Sequence, residues 1–356
     1  LMMPPLHGER MRTYCHLIGE ITHSVLAEIP LGSEFRARDV MQKISMRVIL
    51  KAVFGLAEGD RYRQLEALLR DRIEMTGNPL RAMTLFFPIL QRNYGPWSPG
   101  ARHQKLAAEV DQLIFAEISE RRASGNFDQA DMLSLLLSAQ DQQGNGLSNQ
   151  ELRDELMTLL VAGHETTATA LAWALYWLHR DPAMKHRLVE EIAEAKDAFA
   201  LTRLPYLTAV CQETLRIYPV AVLTFPRRVE QPVEVLGHTL QPGQMVVGSI
   251  YLIHHRPDLY PDSRRFRPER FLEWQYGPHE FLPFGGGSRR CIGASLALFE
   301  MQLVLGTILA NYDLRLLETR PVKPQRRGVT LSPAGGIRLR LDQRRLAAEP
   351  ALSLGH

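Results

Sequence analysis

A helical pattern of unusual length crosses the middle of the sequence, from Ser148 to Asp181-Pro182. It opens with a capping box, in which the Ser148 hydroxyl and the Glu151 carboxylate each satisfy a backbone donor of the first turn. Leucines then recur at helical spacing until Pro182 ends the helix. A helix of about thirty residues that is apolar on most sides must run through the interior of a protein. The sequence therefore predicts a fold built around a long, buried, central helix.

The centre of this helix has a composition that weakens helices. Residues 162–167 read Ala-Gly-His-Glu-Thr-Thr, and glycine and β-branched residues each cost a helix up to ~1 kcal/mol relative to alanine. Threonine hydroxyls can also bond the carbonyl one turn back and bend the helix. A distorted turn with an acid and an alcohol suits proton delivery in a buried site, although an ordinary buried helix fits these residues at least as well. A zinc motif is excluded, because the second histidine of H-E-x-x-H would fall on Ala168.

The rest of the chain is mainly helical, with a smaller β portion. Helical periodicity dominates to about Leu201, and residues 220–250 read as short strands joined by turns. Near the end, residues 328–331 and 337–341 predict a strand pair around Gly335-Gly336. The segment from Gln343 onward is polar and is predicted to be a disordered tail.

Composition narrows the possible function classes. The 356 residues are 45% hydrophobic and 23% charged, as in ordinary globular proteins, so wholesale disorder is excluded. A net charge of +3 is far below that of a typical nucleic-acid-binding protein. No uninterrupted apolar run reaches the ~18 residues of a membrane span. The three cysteines, Cys15, Cys211 and Cys291, are too scattered for a disulfide framework, which predicts a reducing, cytoplasmic location.

The third cysteine lies in a glycine-rich segment. Residues 284–293 read Phe-Gly-Gly-Gly-Ser-Arg-Arg-Cys-Ile-Gly, and helical periodicity resumes directly afterwards. This placement puts the Cys291 sulfur at a helix N-terminus, where N–H groups and the helix dipole favour a thiolate. A thiolate held in this way is suited to be an axial iron ligand.

Three other roles for this segment fit its residues less well than an iron ligand does. An inert buried thiol is the usual state of a lone cysteine, and the glycines and arginines argue against it. A phosphate-binding loop would need a lysine that does not follow. Ser288 does not fit the nucleophile pattern G-x-S-x-G, because Arg290 occupies the last position.

Two further segments carry paired charges. Glu213 and Arg216 lie three residues apart, which places them on one face of a predicted helix. Alone, they are an ordinary surface ion pair. Arg270, within the run Pro-Glu-Arg-Phe at 268–271, could complete a buried network with them.

Together these segments resemble one known family. The cysteine loop matches the pattern F-x-x-G-x-R-x-C-x-G at Phe284, Gly287, Arg289, Cys291 and Gly293. With A-G-x-E-T-T, E-x-x-R and P-E-R-F, it follows the motif order of the cytochrome P-450 family, the haem-thiolate monooxygenases. The resemblance covers Leu1 to about Leu341 and is greatest to the soluble bacterial branch.

The resemblance implies a fold and a cofactor. The fold is mainly α with small β-sheets, and haem b lies between the long central helix and the cysteine loop. Residues 1–342 are expected to form a single haem-thiolate domain, followed by a disordered tail over 343–356. Because the family has more chain before the segment that matches Leu1, the domain is expected to be N-terminally incomplete, and a lost membrane anchor stays open.

The resemblance also implies roles for individual residues. Cys291 is the proximal iron ligand, Arg289 pairs with a haem propionate, and Phe284 packs beside the ligand loop. Glu165 and Thr166 form an acid–alcohol pair that guides protons to the reacting oxygen.

Further positions are implied to shape the site. Ala162 and Gly163 open a groove in the central helix for the acid–alcohol pair. Arg228 makes the second propionate contact, with Arg227 as the alternative. The remaining cofactor-binding positions are Gly287 and Gly293. The structural network behind the haem comprises Glu213, Arg216 and Arg270.

The implied reaction inserts one oxygen atom of O2 into a small apolar substrate, with electrons from a ferredoxin or flavodoxin. Arginines near the ligand loop suit the docking of such an acidic partner, or else form a solvated loop: Arg264, Arg265, Arg267, Arg289 and Arg290. Neither nucleic acid nor a membrane span is expected. His254 and His255 are predicted to be packing or surface residues. Two other functions stay open, a haem-binding remnant without turnover and an enzyme that uses peroxide without a reductase.

Overall fold

The structure is a computed structural model. It describes residues 10–55, 59–77, 92, 94, 95, 98–125, 127, 131–141, 143–327 and 330–345. Its helices are α1 Arg10–Ala27, α2 Ala37–Phe54, α3 Asp60–Gly77, α4 Pro99–Ser124, α5 Met132–Ser138, α6 Asn149–Arg180, α7 Pro182–Ala193, α8 Ala198–Leu201, α9 Pro205–Ile217, α10 Ile250–His254, α11 Arg270–Glu273 and α12 Ala294–Asn311.

The strands are short and come mainly from the second half of the chain. They are β1 Glu34–Arg36, β2 Arg227–Arg228, β3 Val233–Val235, β4 His238–Leu240, β5 Met245–Val246, β6 Tyr312–Leu316, β7 Pro324–Arg327, β8 Thr330–Pro333 and β9 Arg338–Arg344. All pairings are antiparallel, in a three-stranded sheet β1-β9-β6 and the pairs β2-β5, β3-β4 and β7-β8. The predicted class, mainly α with small β-sheets, is confirmed.

Helix α6 runs through the centre of the molecule, as predicted. The capping box is present, with the Glu151 amide on the Ser148 hydroxyl and the Ser148 amide on the Glu151 carboxylate. The helix ends at Arg180, and Asp181 caps the start of α7. Helices α2, α4, α5, α7, α9 and α12 pack around α6. Its fully buried side chains include Leu152, Leu156, Leu171, Trp173, Leu175 and Leu178.

Helix α2 packs closely against α6 at Gly163. A Cβ atom added to Gly163 would lie 2.8 Å from Ile49 Cδ1 and 3.1 Å from Ile49 Cγ1. Such distances are shorter than van der Waals contact, so a side chain at position 163 would force the Ile49 side chain or the helices to shift. Glycine at this position therefore lets α2 lie against the centre of α6.

The prediction that two strands pair with each other near the end of the chain is wrong. Thr330–Pro333 pairs with Pro324–Arg327, and Arg338–Arg344 pairs with β1 and β6. Gly335 and Gly336 do not join two paired strands: they and Ile337 have positive φ angles of 73°, 81° and 64°, and the chain passes there from the pair β7-β8 to the three-stranded sheet. Ile337 is then fully buried, and its carbonyl accepts the Ala37 amide at 2.8 Å. Positions 328 and 329 of the predicted pair lie outside the described residues.

The predicted start of the tail is also wrong. Strand β9 extends to Arg344, with Gln343 paired to Asp313 and Arg344 paired to Tyr312. The Arg344 guanidinium donates to the carbonyls of Ala27 and Ile29. Polar residues belong to this strand because pairing with β6 and helix-end carbonyls satisfies them. The rest of the predicted tail, after Arg345, lies outside the described residues.

Among the described residues, one helix, α12, has the length and composition of a membrane span. Within the protein, 67% of this segment is buried. Glu300 and Gln302 lie inside the helix and are buried with it. A core helix passes the same length and composition test, so this helix is weak evidence for a span.

Candidate active site

The cysteine loop is a compact turn that leads into α12. The Cys291 amide donates to the Phe284 carbonyl at 2.9 Å, and the Gly285 amide donates to the Leu282 carbonyl at 3.0 Å. Gly285 and Gly287 have φ angles of 68° and 65°, which other residues rarely adopt. The glycines thus allow the chain to fold back so that Cys291 lies just before the first turn of α12.

Cys291 differs from the other two cysteines in its exposure. Cys15 and Cys211 are buried, and burial raises the pKa of the Cys211 thiol well above its ordinary value. The Cys291 side chain is exposed, next to Gly293, whose Cβ position would lie 4.0 Å from the sulfur. Of the three thiols, Cys291 is therefore the one that can reach a ligand or a metal. Phe284, on the same loop, is partly buried against the core.

The middle of α6 turns an apolar stretch away from the core. Val161 is 55% exposed, and Ala162 beside it is also exposed, although α6 is otherwise largely buried. The Thr166 hydroxyl donates to the Ala162 carbonyl at 2.7 Å, and the Thr167 hydroxyl donates to the Gly163 carbonyl at 3.1 Å. Both threonines thus bond one turn back, as their spacing predicts.

One side of Gly163 packs against α2. The side of Gly163 that lacks a side chain faces Ile49 of α2, which fills the space. The groove that the resemblance implies at Ala162 and Gly163 for the acid–alcohol pair stays a prediction. Ala162 remains the exposed small residue of this turn.

The Glu165 carboxylate pairs with an arginine that sequence reasoning missed. Arg38 Nη2 lies 2.9 Å from Glu165 Oε1, and the side chains are 5% and 23% exposed. Burial lowers the pKa of the Arg38 guanidinium, as does the charge of Arg327, while Glu165 raises it. Nothing in the local sequence links positions 38 and 165, which are 127 residues apart.

The histidine of this turn, His164, faces the core rather than the exposed stretch. Its Nδ1–H donates to the Leu160 carbonyl at 2.7 Å, and its side chain is 4% exposed. Burial lowers the pKa of the imidazole. His164 is therefore a neutral core residue near the Arg38–Glu165 pair.

Glu213, Arg216 and Arg270 meet in one buried network. Arg216 contacts the Glu213 carboxylate with two nitrogens, at 2.5 and 2.8 Å, and Arg270 Nε lies 3.2 Å from it. The three side chains are at most 2% exposed. Two guanidiniums share one carboxylate, so backbone carbonyls take the remaining donors. Arg216 Nη1 donates to the carbonyls of His254 and Ser263, both at 2.8 Å.

Several arginines that belong to the cysteine loop or precede it in the sequence lie at the surface. Arg289 is exposed on the 3₁₀ turn Gly287–Arg289, and Arg290 follows it. Arg264 and Arg265 are exposed as well. Arg267 differs from them, because it pairs with Glu273.

Arg227 and Arg228 form strand β2. They precede the cysteine loop by more than fifty residues in the sequence. The Arg228 side chain is 70% exposed and lies 4.0 Å from Glu230. Successive side chains of a strand point to opposite faces, so Arg227 and Arg228 cannot both face the same group. One of the two is therefore available to an anion on a given face of β2.

Residues 1–340 match the family model described as Cytochrome P450. Cytochrome P450 135B1 of Mycobacterium tuberculosis is 38% identical over 342 residues, which cover 96% of this chain and 71% of that protein. Cytochrome P450 138 of the same species is 35% identical over 347 residues, which cover 97% and 75%. The chain belongs to the cytochrome P450 family.

Solved structures of P450 proteins share the fold. The cytochrome P450DA heme domain has a TM-score of 0.80 at 24% identity, over 97% of this chain and 75% of that chain. Cyanobacterial CYP120A1, solved with retinoic acid bound, has a TM-score of 0.81 at 24% identity, over 97% and 77%. These structures show the fold alone. As a member of the P450 family, the protein is an oxidoreductase of the monooxygenase type.

The cofactor of the family is haem b with an axial cysteine thiolate. The residues of this P450 fit that group. Cys291 offers an exposed sulfur on a loop whose backbone is held by the Phe284 carbonyl. The uncovered apolar stretch at Val161 and Ala162 suits a flat, largely apolar ring system.

Proposed function

We propose that this P450 inserts one oxygen atom of O2 into a C–H bond of a small apolar substrate, with electrons from a ferredoxin or flavodoxin. The placement of Cys291 is the observation that best supports this function. Cys291 is the exposed cysteine, and it lies on a glycine-rich loop just before α12. The metal ligand of a haem-thiolate enzyme is such a residue.

Cys291 would hold the haem iron through its sulfur. When bound, the haem supplies the activation of O2, and a thiolate ligand contributes the electron density that favours O–O cleavage. The protein must keep the sulfur in place while this happens. The Cys291 amide, bonded to the Phe284 carbonyl, and the glycines Gly287 and Gly293 around it do so.

Arg289 and Arg228 would bind the two haem propionates. Arg289 is exposed two residues before Cys291, and no carboxylate in the described part of the chain forms a salt bridge with it. Arg228 is exposed and lies 4.0 Å from Glu230, a distance that leaves its donors available to a stronger anion. Arg227 is the alternative, on the opposite face of β2.

Glu165 and Thr166 would deliver protons to the reacting oxygen. The Thr166 hydroxyl now donates to the Ala162 carbonyl, and a rotation about its χ1 angle would turn it toward the exposed side of α6. The Glu165 carboxylate is 23% exposed beside it, so it can exchange protons with water. Arg38 holds this carboxylate in one orientation.

We also assign the described core to one haem-thiolate domain that ends with β9, and place the protein in the cytoplasm. The three-stranded sheet supports the domain, since it joins residues 34–36 to residues 338–344. No disulfide joins Cys15, Cys211 and Cys291, which supports a reducing compartment.

The test replaces the proposed iron ligand. Cys291→Ala should abolish the thiolate-type spectrum of the carbon monoxide complex, because alanine cannot bind iron. Ser288→Ala, on the same exposed loop, is the matched control and should keep the spectrum.

An unchanged spectrum in Cys291→Ala would disprove the assignment of the ligand. A colourless native protein would instead support a haem-free remnant, and a coloured protein without turnover would support the haem-binding remnant. Full product formation from hydrogen peroxide, without any reductase, would support the peroxide-using enzyme.

A further inference from the structure

His254 lies at the end of α10 and is completely buried. Its Nε2 is 2.8 Å from the backbone nitrogen of Leu282, and its Nδ1 is 3.2 Å from the Arg216 carbonyl. A backbone N–H can only donate and a carbonyl can only accept. The Nε2 atom must therefore be unprotonated, and Nδ1 must carry the proton. The two contacts specify a neutral imidazole in one tautomer.

Leu282 begins the segment that carries the cysteine. Its carbonyl accepts the Gly285 amide at 3.0 Å, and the Phe284 carbonyl accepts the Cys291 amide at 2.9 Å. One ring–backbone contact and two backbone–backbone contacts thus lead from the His254 ring to Cys291. The His254 ring also stacks on Phe281, with centroids 5.4 Å apart.

On its other side, His254 is joined to the buried charge network. The His254 carbonyl accepts from Arg216 Nη1 at 2.8 Å, and its ring donates to the Arg216 carbonyl. Arg216 is paired with Glu213, and all three side chains are fully buried. His254 therefore contacts the network through both its backbone and its ring.

We propose that His254 is a positioning residue, whose neutral ring ties the cysteine loop to the Glu213–Arg216 network and so holds the Cys291 sulfur in place. A residue that merely fills the core would need no acceptor at Nε2. Protonation would turn that acceptor into a donor facing the Leu282 N–H, and the contact would be lost. Burial lowers the pKa of His254 to about 3, so the ring stays neutral at ordinary pH.

The proposal rests on the assigned role of Cys291 only for its spectroscopic readout. Amide exchange at Leu282 tests the tie itself, in the full-length protein as purified. A failure of Cys291 as the iron ligand would leave the exchange result unchanged, so the two proposals fail separately.

The first experiment compares three variants by hydrogen exchange. His254→Phe keeps an aromatic ring and removes the acceptor, and it should raise the exchange rate of the Leu282 amide by ~10-fold or more while α6 stays protected. His254→Gln supplies an acceptor near the same place and should restore most of the protection. His255→Phe, at the adjacent and partly exposed histidine, should leave exchange unchanged.

The second readout is the carbon monoxide complex. His254→Phe should lower the fraction with the thiolate-type spectrum, and His254→Gln should recover it. A Leu282 amide that stays as protected in folded His254→Phe as in the native protein would overturn the proposal. Fast exchange in folded His254→Gln would do the same if His254→Phe does not fold.

The native protein offers a test that needs no variant. Long-range proton–nitrogen correlation of the diamagnetic carbon monoxide complex reports which ring nitrogen carries the proton. The expected result is a neutral His254 with Nδ1–H from pH 5 to pH 8. A ring protonated on Nε2, or one that titrates in this range, contradicts the proposal.

Discussion

At position 300, a carboxyl group is enclosed in the core of the molecule. The Glu300 side chain on α12 is 3% exposed, and the Ser45 hydroxyl of α2 is the polar group beside it. Burial raises the pKa of Glu300 to about 8, because the charged form loses its hydration. A group that ionises more readily in the unfolded chain makes stability depend on pH.

The sign of this dependence is negative between pH 4.5 and about pH 8. The unfolded chain loses the Glu300 proton near the ordinary value of 4.5, while the folded protein keeps it until about 8. The contribution of Glu300 to the free energy of unfolding is therefore fully present below pH 4.5. It falls by about 1.4 kcal/mol per pH unit as the pH rises through this window. Glu300→Gln removes the ionisation and should remove this loss.

The measurement is the denaturant midpoint of the native protein and of Glu300→Gln at pH 5 and pH 8. The variant should gain relative to the native protein at the higher pH. An equal difference at both pH values would show that the pKa of Glu300 is not raised in the folded protein.

Thr166 and Thr167 make the same backbone contact and differ in exposure. Both hydroxyls donate one turn back along α6, but Thr167 is 5% exposed, and Thr166 is on the more open side. Thr166→Ala should divert electrons from product to hydrogen peroxide, because the proposed proton donor is lost. Coupling of electron use to product should fall several-fold.

Thr167→Ala is the control, since it removes an equal hydrogen bond and should keep the coupling. Coupling that is the same in Thr166→Ala as in the native protein would exclude Thr166 from proton delivery.

Among the elements, the contact of α2 with α6 depends on a single missing side chain. Gly163→Ala would place a Cβ atom 2.8 Å from Ile49 Cδ1. We expect a net loss of ~1–3 kcal/mol in stability, because the clash exceeds the gain in helix propensity. In an Ile49→Ala background the clash is absent, and the same substitution should be neutral or stabilising.

Gly19 of α1 is the matched control for this experiment. It lies inside a helix, and nothing lies within 4 Å of its Cβ position. Gly19→Ala should therefore stabilise the protein by up to ~1 kcal/mol. Chemical denaturation of the single and double variants measures all three changes, and a Gly163→Ala protein as stable as Gly19→Ala would refute the close packing.

At the scale of the whole molecule, the positive charge of the arginines in and before the cysteine loop is predicted to affect the rate of reduction by a redox partner. Arg264, Arg265, Arg289 and Arg290 are exposed, while Arg267 is paired with Glu273. If an acidic partner docks there, its reduction rate should fall steeply as salt rises, since the Debye length is only about 10 Å at 0.1 M. Arg290→Gln should lower the second-order rate several-fold at low salt.

Arg63→Gln, at another exposed arginine, is the control for that measurement and should have no effect. Stopped-flow reduction by a ferredoxin across an ionic-strength series separates the two variants. Rates that do not depend on salt would identify the arginines as a solvated loop.

Local pattern was sufficient for the elements whose signals lie within a few turns. The capping box at Ser148, the stop at Asp181 and the leucine stripe of α6 are confirmed because capping and helical periodicity act between near neighbours. The cysteine loop could be read from its glycines for a similar reason, since their positive φ angles are properties of single residues.

Tertiary packing decided what depends on distant partners. The Arg38–Glu165 pair, the tie of His254 to Leu282 and the contact of Gly163 with Ile49 each join residues that share no local signal. The prediction of strand pairing failed for the same reason, because β9 pairs with β1, from near the other end of the chain, and with β6. The chemistry of a side chain determines which contacts it can make. Which residue becomes its partner is determined only by the tertiary fold, because the two residues are distant in the sequence.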